Sequence, residues 1–201
     1  MKKSPTYNNP KLYSFVMTIL HPFGELKNLK KLIGKKKTVF EPACGFGRLK
    51  KFLYKNCTYR GIDLNQEFIK FGQHKNINIK LGNMFEQKNY VSSDIIILCD
   101  IIHHLSIKQG KELVSIATKF TKEKIIIIEP TFTSIAAGNN WFKKQIAKVF
   151  SRLDYDGINH ITKWLLKKEY YNLFEEYKIE NKFKKSTIKE KSNYFFVELI
   201  K

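Results

Sequence analysis

Cysteine is scarce in this chain, and its three cysteines show no paired spacing. Cys44, Cys57 and Cys99 form no C-x-x-C motif, so the sequence predicts neither a disulfide framework nor a metal site. Unpaired thiols are typical of a reducing compartment, and we therefore expect a cytoplasmic protein.

Long apolar runs are also missing. No stretch of about 18 consecutive hydrophobic residues occurs, so the sequence predicts no transmembrane helix. The opening MKKSPTYNNP has lysines but no apolar segment behind them, which argues against a secretory signal.

Acidic residues are few, 18 against 37 basic ones, which gives a formal net charge of +19. Such a surface attracts phosphate groups, so weak, non-specific contact with nucleic acid or with an anionic membrane is expected. Arginine, which nucleic-acid readers favour for its planar fork, is restricted to Arg48, Arg60 and Arg152. The charge therefore has two interpretations, a generally solvated lysine surface or a surface that binds polyanions.

Hydrophobic patterning is the feature that is abundant. Over residues 37–130, short apolar segments alternate with amphipathic helical stripes, and SDIIILCD and KIIIIEP are apolar on both faces, as central parallel strands are. The length suits one domain over residues 1–201. The pattern predicts an α/β fold, a Rossmann-like doubly wound sheet with five parallel strands.

The flanking segments complete this expectation. Residues 1–36 read as a helical segment, 131–161 as a helical cap over the substrate, and 162–201 as a terminal helix and strands. We expect EYKIENKFKK and NYFFVELI to form the last two strands and to make the sheet mixed, with a terminal antiparallel strand. RLKKFLYKN is predicted to be a helix, and Asn65 and Ser106 are predicted to be helix N-caps.

The turn VFEPACGFGRL joins the first strand to that predicted helix. Ala43, Gly45 and Gly47 are small, so a ligand could approach the backbone at the carboxyl ends of the strands, where open α/β sheets bind ligands. A dinucleotide fingerprint would place a third glycine where Lys50 stands, which disfavours a dehydrogenase.

Glu41-x-Ala43-x-Gly45-x-Gly47 resembles the first motif of class I S-adenosylmethionine-dependent methyltransferases. Further landmarks follow in the family's order: GIDLN after the second strand, LGNMF after the third, DIIILCDIIHHLS for the fourth and IIIIEP for the fifth. Together they cover residues 37–130. The chain departs from the family pattern at Ala43, where a glycine is usual, and at Asn83, where an acid is usual.

The resemblance implies S-adenosyl-L-methionine as the cofactor. It implies that Asp63 holds the ribose hydroxyls and that Asn83 and Met84 lie at the adenine edge. Acidic groups suit the ammonium group of the cofactor, and backbone amides of the turn suit its carboxylate. The expected cofactor-binding residues are Glu41, Ala43, Cys44, Gly45, Gly47, Asp63, Leu64, Asn83, Met84 and Asp100.

Histidine suits proton transfer at neutral pH, and candidate bases are His103 and His104 after the fourth strand and His160 in the cap. Adjacent side chains point in different directions, so we expect one of the first two to face the cavity while the other packs. Catalysis by alignment alone stays open. Candidate acceptor-binding residues in the cap are Trp141, Tyr155, Asp156 and Asn159.

The H-H-L form after the fourth strand is, by resemblance, more typical of small-molecule and lipid methyltransferases. The [DNS]-P-P-[YF] motif of amino-methylating nucleic-acid enzymes is missing at that point, and no cysteine follows a proline. A small-molecule or lipid-like acceptor is thus expected. The alternatives are an RNA methyltransferase and a non-catalytic cofactor-binding partner of another enzyme.

The N-terminal helical stripe from Leu12, which a lysine-rich segment follows, has two interpretations. It either rests on anionic lipid, which would make the protein peripheral at the membrane, or packs over the cofactor. The sequence assigns no oligomeric state.

Overall fold

The computed structural model describes residues 8–20, 26, 29–130, 167–191 and 194–201, with the backbone alone for residues 16–20. The elements before the sheet are helices α1 (Pro10–Leu20) and α2 (Leu29–Ile33). The core then runs through β1 (Thr38–Pro42), β2 (Thr58–Asp63), α3 (Gln66–Gln73), β3 (Ile79–Leu81), β4 (Ser93–Cys99), α4 (Ile107–Phe120) and β5 (Thr121–Pro130). The last elements are α5 (Lys167–Glu180), β6 (Lys185–Lys191) and β7 (Tyr194–Ile200).

These strands form one seven-stranded sheet in the order β3-β2-β1-β4-β5-β7-β6. Strands β1 to β5 pair in parallel, whereas β7 is antiparallel to both β5 and β6. The predicted fold class, a doubly wound, mostly parallel sheet with terminal antiparallel pairing, is confirmed.

A buried hydrophobic core covers each face of the sheet, and β4 and β5 are the most deeply buried strands. The isoleucine and leucine side chains at 95–98 and 125–128 are fully inaccessible, which explains why both strands are apolar without alternation. On α2, Leu29 and Ile33 are buried in the cluster that also covers β1. Within the described residues, no helix is long and apolar enough to cross a bilayer.

Two predicted helix caps are confirmed. The Asn65 side chain accepts hydrogen bonds from the amides of Glu67 and Phe68 at the start of α3. Ser106 and Gln109 form a reciprocal capping box at the start of α4. The two caps set where the helices that follow β2 and β4 begin. The carboxyl ends of β2 and β4 both lie at the site described below.

The helix predicted for RLKKFLYKN is wrong in type and length, because the structure has a 3₁₀ helix over only Arg48–Phe52. Gly47 precedes it in the left-handed conformation, and Leu53 is already extended. One tight turn is enough to bury Leu49, Phe52 and Leu53, and the chain then turns directly into β2.

The prediction of a strand over EYKIENKFKK is also wrong. Helix α5 continues to Glu180, because Tyr170, Phe174 and Tyr177 bury one helical face at spacings of three and four. Ile179, which an alternating strand would bury with Tyr177, is 70% exposed. Strand β6 begins only at Lys185.

Candidate functional site

A cavity of about 380 Å³ opens at the carboxyl ends of β1, β2 and β4. Strand β1 lies between β2 and β4, so the strand order reverses at this point, which is where open α/β sheets bind ligands. The side chains and backbone that line the cavity belong to Tyr13, Glu41, Ala43, Cys44, Gly45, Phe46, Arg48, Leu49, Asp63, Leu64, Asn65, Phe68, Gly82, Asn83, Met84, Phe85, Cys99, Asp100, Ile101, His104 and Gln109.

The turn after β1 takes its shape from three residues with positive φ: Ala43 at 57°, Gly45 at 56° and Gly47 at 76°. Ala43 and Gly45 line the cavity, as expected for small residues that expose the backbone. Gly47 does not line it. A Cβ there would lie 2.7 Å from the Ile77 side chain, so this glycine allows the turn to pack against the chain leading into β3.

Asp63 closes the turn from the end of β2. One carboxylate oxygen accepts from the Gly45 amide at 2.7 Å, and the other accepts from the Asn65 amide at 2.8 Å. Both oxygens of this carboxylate therefore hold backbone amides of the turn and of the chain after β2. Sequence reasoning assigned this acid to a ligand and missed that it also holds the turn.

Glu41 is 4% exposed at the end of β1, and its carboxyl group accepts a hydrogen bond from the Tyr59 hydroxyl on β2. Burial raises the pKa of Glu41 to about 8, although the Tyr59 hydrogen bond and the Arg48 charge act in the opposite direction. The sequence pattern gave no signal for the Tyr59 contact, because a tyrosine on a buried strand face is ordinary.

Arg48 and Asp100 form an ion pair at the cavity, with Nη2 of Arg48 3.2 Å from Oδ2 of Asp100. Burial alone would lower the pKa of Arg48, but the Asp100 carboxylate offsets this and the pKa is raised. Among the described residues, Nη1 of Arg48 and Oδ1 of Asp100 are buried without a hydrogen-bond partner. Sequence reasoning listed Asp100 but missed Arg48, although Arg48 directly follows the glycine turn.

The segment after β3 supplies Asn83 and Met84, both in the cavity lining. The Asn83 side-chain oxygen accepts from the Phe85 amide at 3.0 Å, so only part of its acceptor capacity faces a ligand. Met84 is buried, and its backbone carbonyl accepts from the Tyr90 hydroxyl. Leu64, which also lines the cavity, is 51% exposed.

The loop after β4 is held by Glu129, a fully buried acid at the end of β5. Its carboxylate accepts from the amides of Ile101 and Ile102 at 2.8 and 2.7 Å, and the Nδ1 of His103 lies 2.7 Å away. A buried carboxylate is tolerated when donors satisfy it in this way. Sequence reasoning used Glu129 only as a landmark, although an acid that ends an apolar strand is itself a signal.

The two adjacent histidines therefore lie in different places. His104 lines the cavity, whereas His103 is outside the lining and is engaged by Glu129. The two rings lie with their centroids 4.1 Å apart. Of the two histidines, His104 is thus the one that borders the cavity.

The N-terminal helix reaches the site through Tyr13. Its ring contacts Phe68 at 4.8 Å and Phe46 at 6.2 Å between centroids, and all three residues line the cavity. Leu12 and Phe15, part of the apolar stripe in the sequence, are 41% and 64% exposed. Of the side chains described on this helix, Tyr13 is thus the one that packs on the site, whereas Leu12 and Phe15 do not bury themselves there.

The remaining sequence candidates, His160, Trp141, Tyr155, Asp156 and Asn159, lie outside the described residues, as does the cap over 131–161. In the part of the chain that the structure describes, no group of His, Cys, Asp and Glu side chains could hold a metal ion.

No family model matches this chain, and no curated protein matches it. Among solved structures, an O-methyltransferase family protein from Burkholderia thailandensis superimposes with a TM-score of 0.70 at 11% identity, over 94% of this chain and 58% of that one. Human N-acetylserotonin methyltransferase in complex with SAM gives a TM-score of 0.64 at 14% identity, over 93% of this chain and 55% of that one.

A third structure, magnesium protoporphyrin IX methyltransferase from Synechocystis with bound SAM, gives a TM-score of 0.56 at 10% identity, over all of this chain (100%) and 86% of that one. This chain spans less than two thirds of the first two proteins. At these identities the likeness establishes the fold, which is the one these methyltransferases share.

Proposed function

We propose that this chain is an S-adenosyl-L-methionine-dependent methyltransferase. The observation that carries the proposal is the pair of buried polar atoms, Nη1 of Arg48 and Oδ1 of Asp100, which have no partner among the described residues. Buried charged groups with unused hydrogen-bonding atoms are unfavourable. A ligand with a carboxylate and an ammonium group on one carbon supplies an acceptor for the arginine and a donor for the aspartate.

Other cavity residues fit the rest of the cofactor. The Asp63 carboxylate lines the cavity and is an acceptor that suits the ribose hydroxyl groups, and Asn83 with Met84 offers a polar and an apolar contact for the adenine. Ala43 and Gly45 expose the turn backbone. When bound, S-adenosyl-L-methionine supplies an electrophilic methyl group on a positively charged sulfur.

The chain itself has two tasks in such a reaction. The cavity walls align the acceptor atom, and alignment of this kind contributes roughly 7–11 kcal/mol to lowering a barrier. His104 on the wall can take a proton from an acceptor hydroxyl or amine, since imidazole titrates near neutral pH. Glu129 and His103 fix the turn that carries His104.

We propose a small-molecule or lipid-like acceptor. One structural neighbour is an O-methyltransferase family protein, so compounds with a hydroxyl group are the acceptor class to test first. A cytoplasmic location fits the three buried free cysteines.

An RNA methyltransferase is the second candidate, and the net charge of +19 is the observation that favours it. We propose instead that the charge gives weak, non-specific contact with nucleic acid or anionic membrane. In that case RNA binding is sequence-independent and falls steeply with salt. A tight complex with one defined RNA at physiological salt would favour the RNA methyltransferase.

Calorimetry with S-adenosyl-L-methionine, S-adenosylhomocysteine and NAD tests the cofactor. We expect the first two to bind and NAD not to bind; preference for NAD, or failure of both adenosyl ligands to bind the folded protein, would overturn the proposal. A labelled-methyl transfer screen against metabolite, lipid and RNA fractions then tests the acceptor. Cofactor binding without transfer to any fraction would favour a non-catalytic partner protein.

A further inference from the structure

Three buried side chains that are neutral at physiological pH, those of Tyr59, Cys44 and Cys99, act on the carboxyl group of Glu41 or are acted on by it. Tyr59 on β2, which donates to it, is 3% exposed. Cys44, in the turn after β1, and Cys99, at the end of β4, are 5% and 8% exposed. Burial raises the pKa of both thiols well above the ordinary value, so they stay neutral at physiological pH.

The charged groups that act on Glu41 come from three neighbouring elements. Arg48 on the 3₁₀ helix favours the carboxylate form, whereas Asp63 at the end of β2 and Asp100 after β4 oppose it. In the described structure the ion pair of Arg48 is with Asp100. Glu41 is therefore a carboxyl group on the cavity wall whose nearest hydrogen-bond partner is a phenol.

We propose that Glu41 is a neutral carboxylic acid in the ligand-free protein and releases its proton to solvent when the ammonium group of a ligand enters the cavity. The identity of the cation, the ammonium group of S-adenosyl-L-methionine or of S-adenosylhomocysteine, rests on the proposed function. The physical reason is that a nearby positive charge favours the carboxylate over the acid. Ligand binding and proton release are then linked, so each one promotes the other.

The sign of the pH dependence follows from this linkage. Below the pKa of about 8, binding must remove a proton from Glu41, so the affinity rises with pH. The limit is about tenfold per pH unit for one proton, and the rise ends once Glu41 is already ionised in the free protein. The ammonium group of the free ligand titrates identically whichever variant is used, so differences between variants arise in the protein or in its complex.

The test is calorimetric titration of S-adenosylhomocysteine near pH 7 in phosphate, HEPES and Tris, whose ionisation enthalpies differ. The slope of the measured enthalpy against the buffer ionisation enthalpy counts the protons released. For the wild-type protein we expect a slope that approaches one proton. Glu41→Gln, which mimics the neutral acid, should release none, and Glu67→Gln, an exposed glutamate outside the cavity lining, should behave like the wild type.

Binding with equal enthalpy in all three buffers would overturn this inference and leave the proposed function standing. Failure of the wild-type protein to bind S-adenosylhomocysteine would instead overturn the proposed function. The wild-type buffer series decides the question alone if Glu41→Gln does not fold. Proton release that persists unchanged in a folded Glu41→Gln protein would assign the proton to another group and would also overturn the inference.

Discussion

The side chains of Arg48 and Asp100 meet at 3.2 Å in the candidate site, although the two residues are 52 positions apart in sequence. Asp100 has a φ of 52°, a left-handed conformation that a non-glycine residue adopts only when its surroundings hold it there. The pair joins the turn after β1 to the loop after β4. Within the described part of the chain, Nη1 of Arg48 and Oδ1 of Asp100 stay buried without a hydrogen-bond partner.

Substitution of either partner should therefore weaken cofactor binding. Hydrogen bonds to charged groups contribute about 1.5–3 kcal/mol, so Arg48→Met or Asp100→Asn should lower the affinity for S-adenosylhomocysteine roughly 10- to 100-fold. Calorimetry measures the change, and Arg60→Met, at an exposed position on β2, is the control. A folded Arg48→Met protein with wild-type affinity would remove Arg48 from the ligand site.

Asp63→Ala should reduce cofactor affinity by a similar factor and should also destabilise the protein. The variant loses the acceptors of the Gly45 and Asn65 amides, and a partly buried donor without a partner costs about 1–3 kcal/mol. Urea unfolding gives the stability and calorimetry gives the affinity. Unchanged affinity in the folded variant would limit Asp63 to bracing the turn.

The elements that were predictable from sequence are those with local signals. The apolar runs of β4 and β5, the caps at Asn65 and Ser106, and the small residues of the turn after β1 each identify themselves within a few positions. A parallel α/β sheet then follows, and its switch point locates the cavity. No knowledge of distant contacts is needed for those steps.

The features that were missed depend on contacts between distant parts of the chain. The Glu129 carboxylate accepts a hydrogen bond from the Ile102 amide, 27 positions away in sequence. Arg48 forms its ion pair with Asp100, 52 positions away. Helix α5 continues past Tyr177 because its buried residues share one helical face. The sequence there also alternates between apolar and polar residues, which by itself suggests a strand. Tertiary packing decides such cases, not local propensity.

Glu41→Gln should stabilise the protein progressively as pH rises. The pKa of Glu41 is raised from an ordinary 4.5 to about 8, so the unfolded chain ionises first and wild-type stability is lost between these values. Within that window the stability difference between variant and wild type should grow by up to about 1.4 kcal/mol per pH unit. Urea unfolding near pH 5 and near pH 8 measures it, and an equal difference at both would contradict the perturbed ionisation.

Ala43→Gly should stabilise the protein by up to about 1 kcal/mol. Ala43 has a φ of 57°, a conformation that costs an L-residue roughly 1–2 kcal/mol, and glycine removes this cost. Glycine also gives the unfolded chain more conformational freedom, which lowers the free energy of unfolding by about 0.4–1 kcal/mol. Thermal or urea unfolding tests this, with Ala117→Gly in the buried face of α4 as a control that should destabilise. A less stable Ala43→Gly protein would show that the methyl group contributes packing that outweighs the strain.

The final prediction separates a proton-transfer role from a supporting one at the two adjacent histidines. His104 lines the cavity and His103 is held by Glu129, so His104→Ala should lower methyl transfer about 100-fold or more with cofactor affinity unchanged. His103→Ala leaves the buried Glu129 carboxylate without one donor, so it should lower the free energy of unfolding as well as the rate. Labelled-methyl transfer to the acceptor found in the screen measures the rate, calorimetry the cofactor affinity and urea unfolding the stability. His160→Ala tests the third candidate, and the exposed His74→Ala is the control. A near-wild-type rate in His104→Ala would exclude it as the base, and near-wild-type rates in all three candidates would mean that alignment alone drives the transfer.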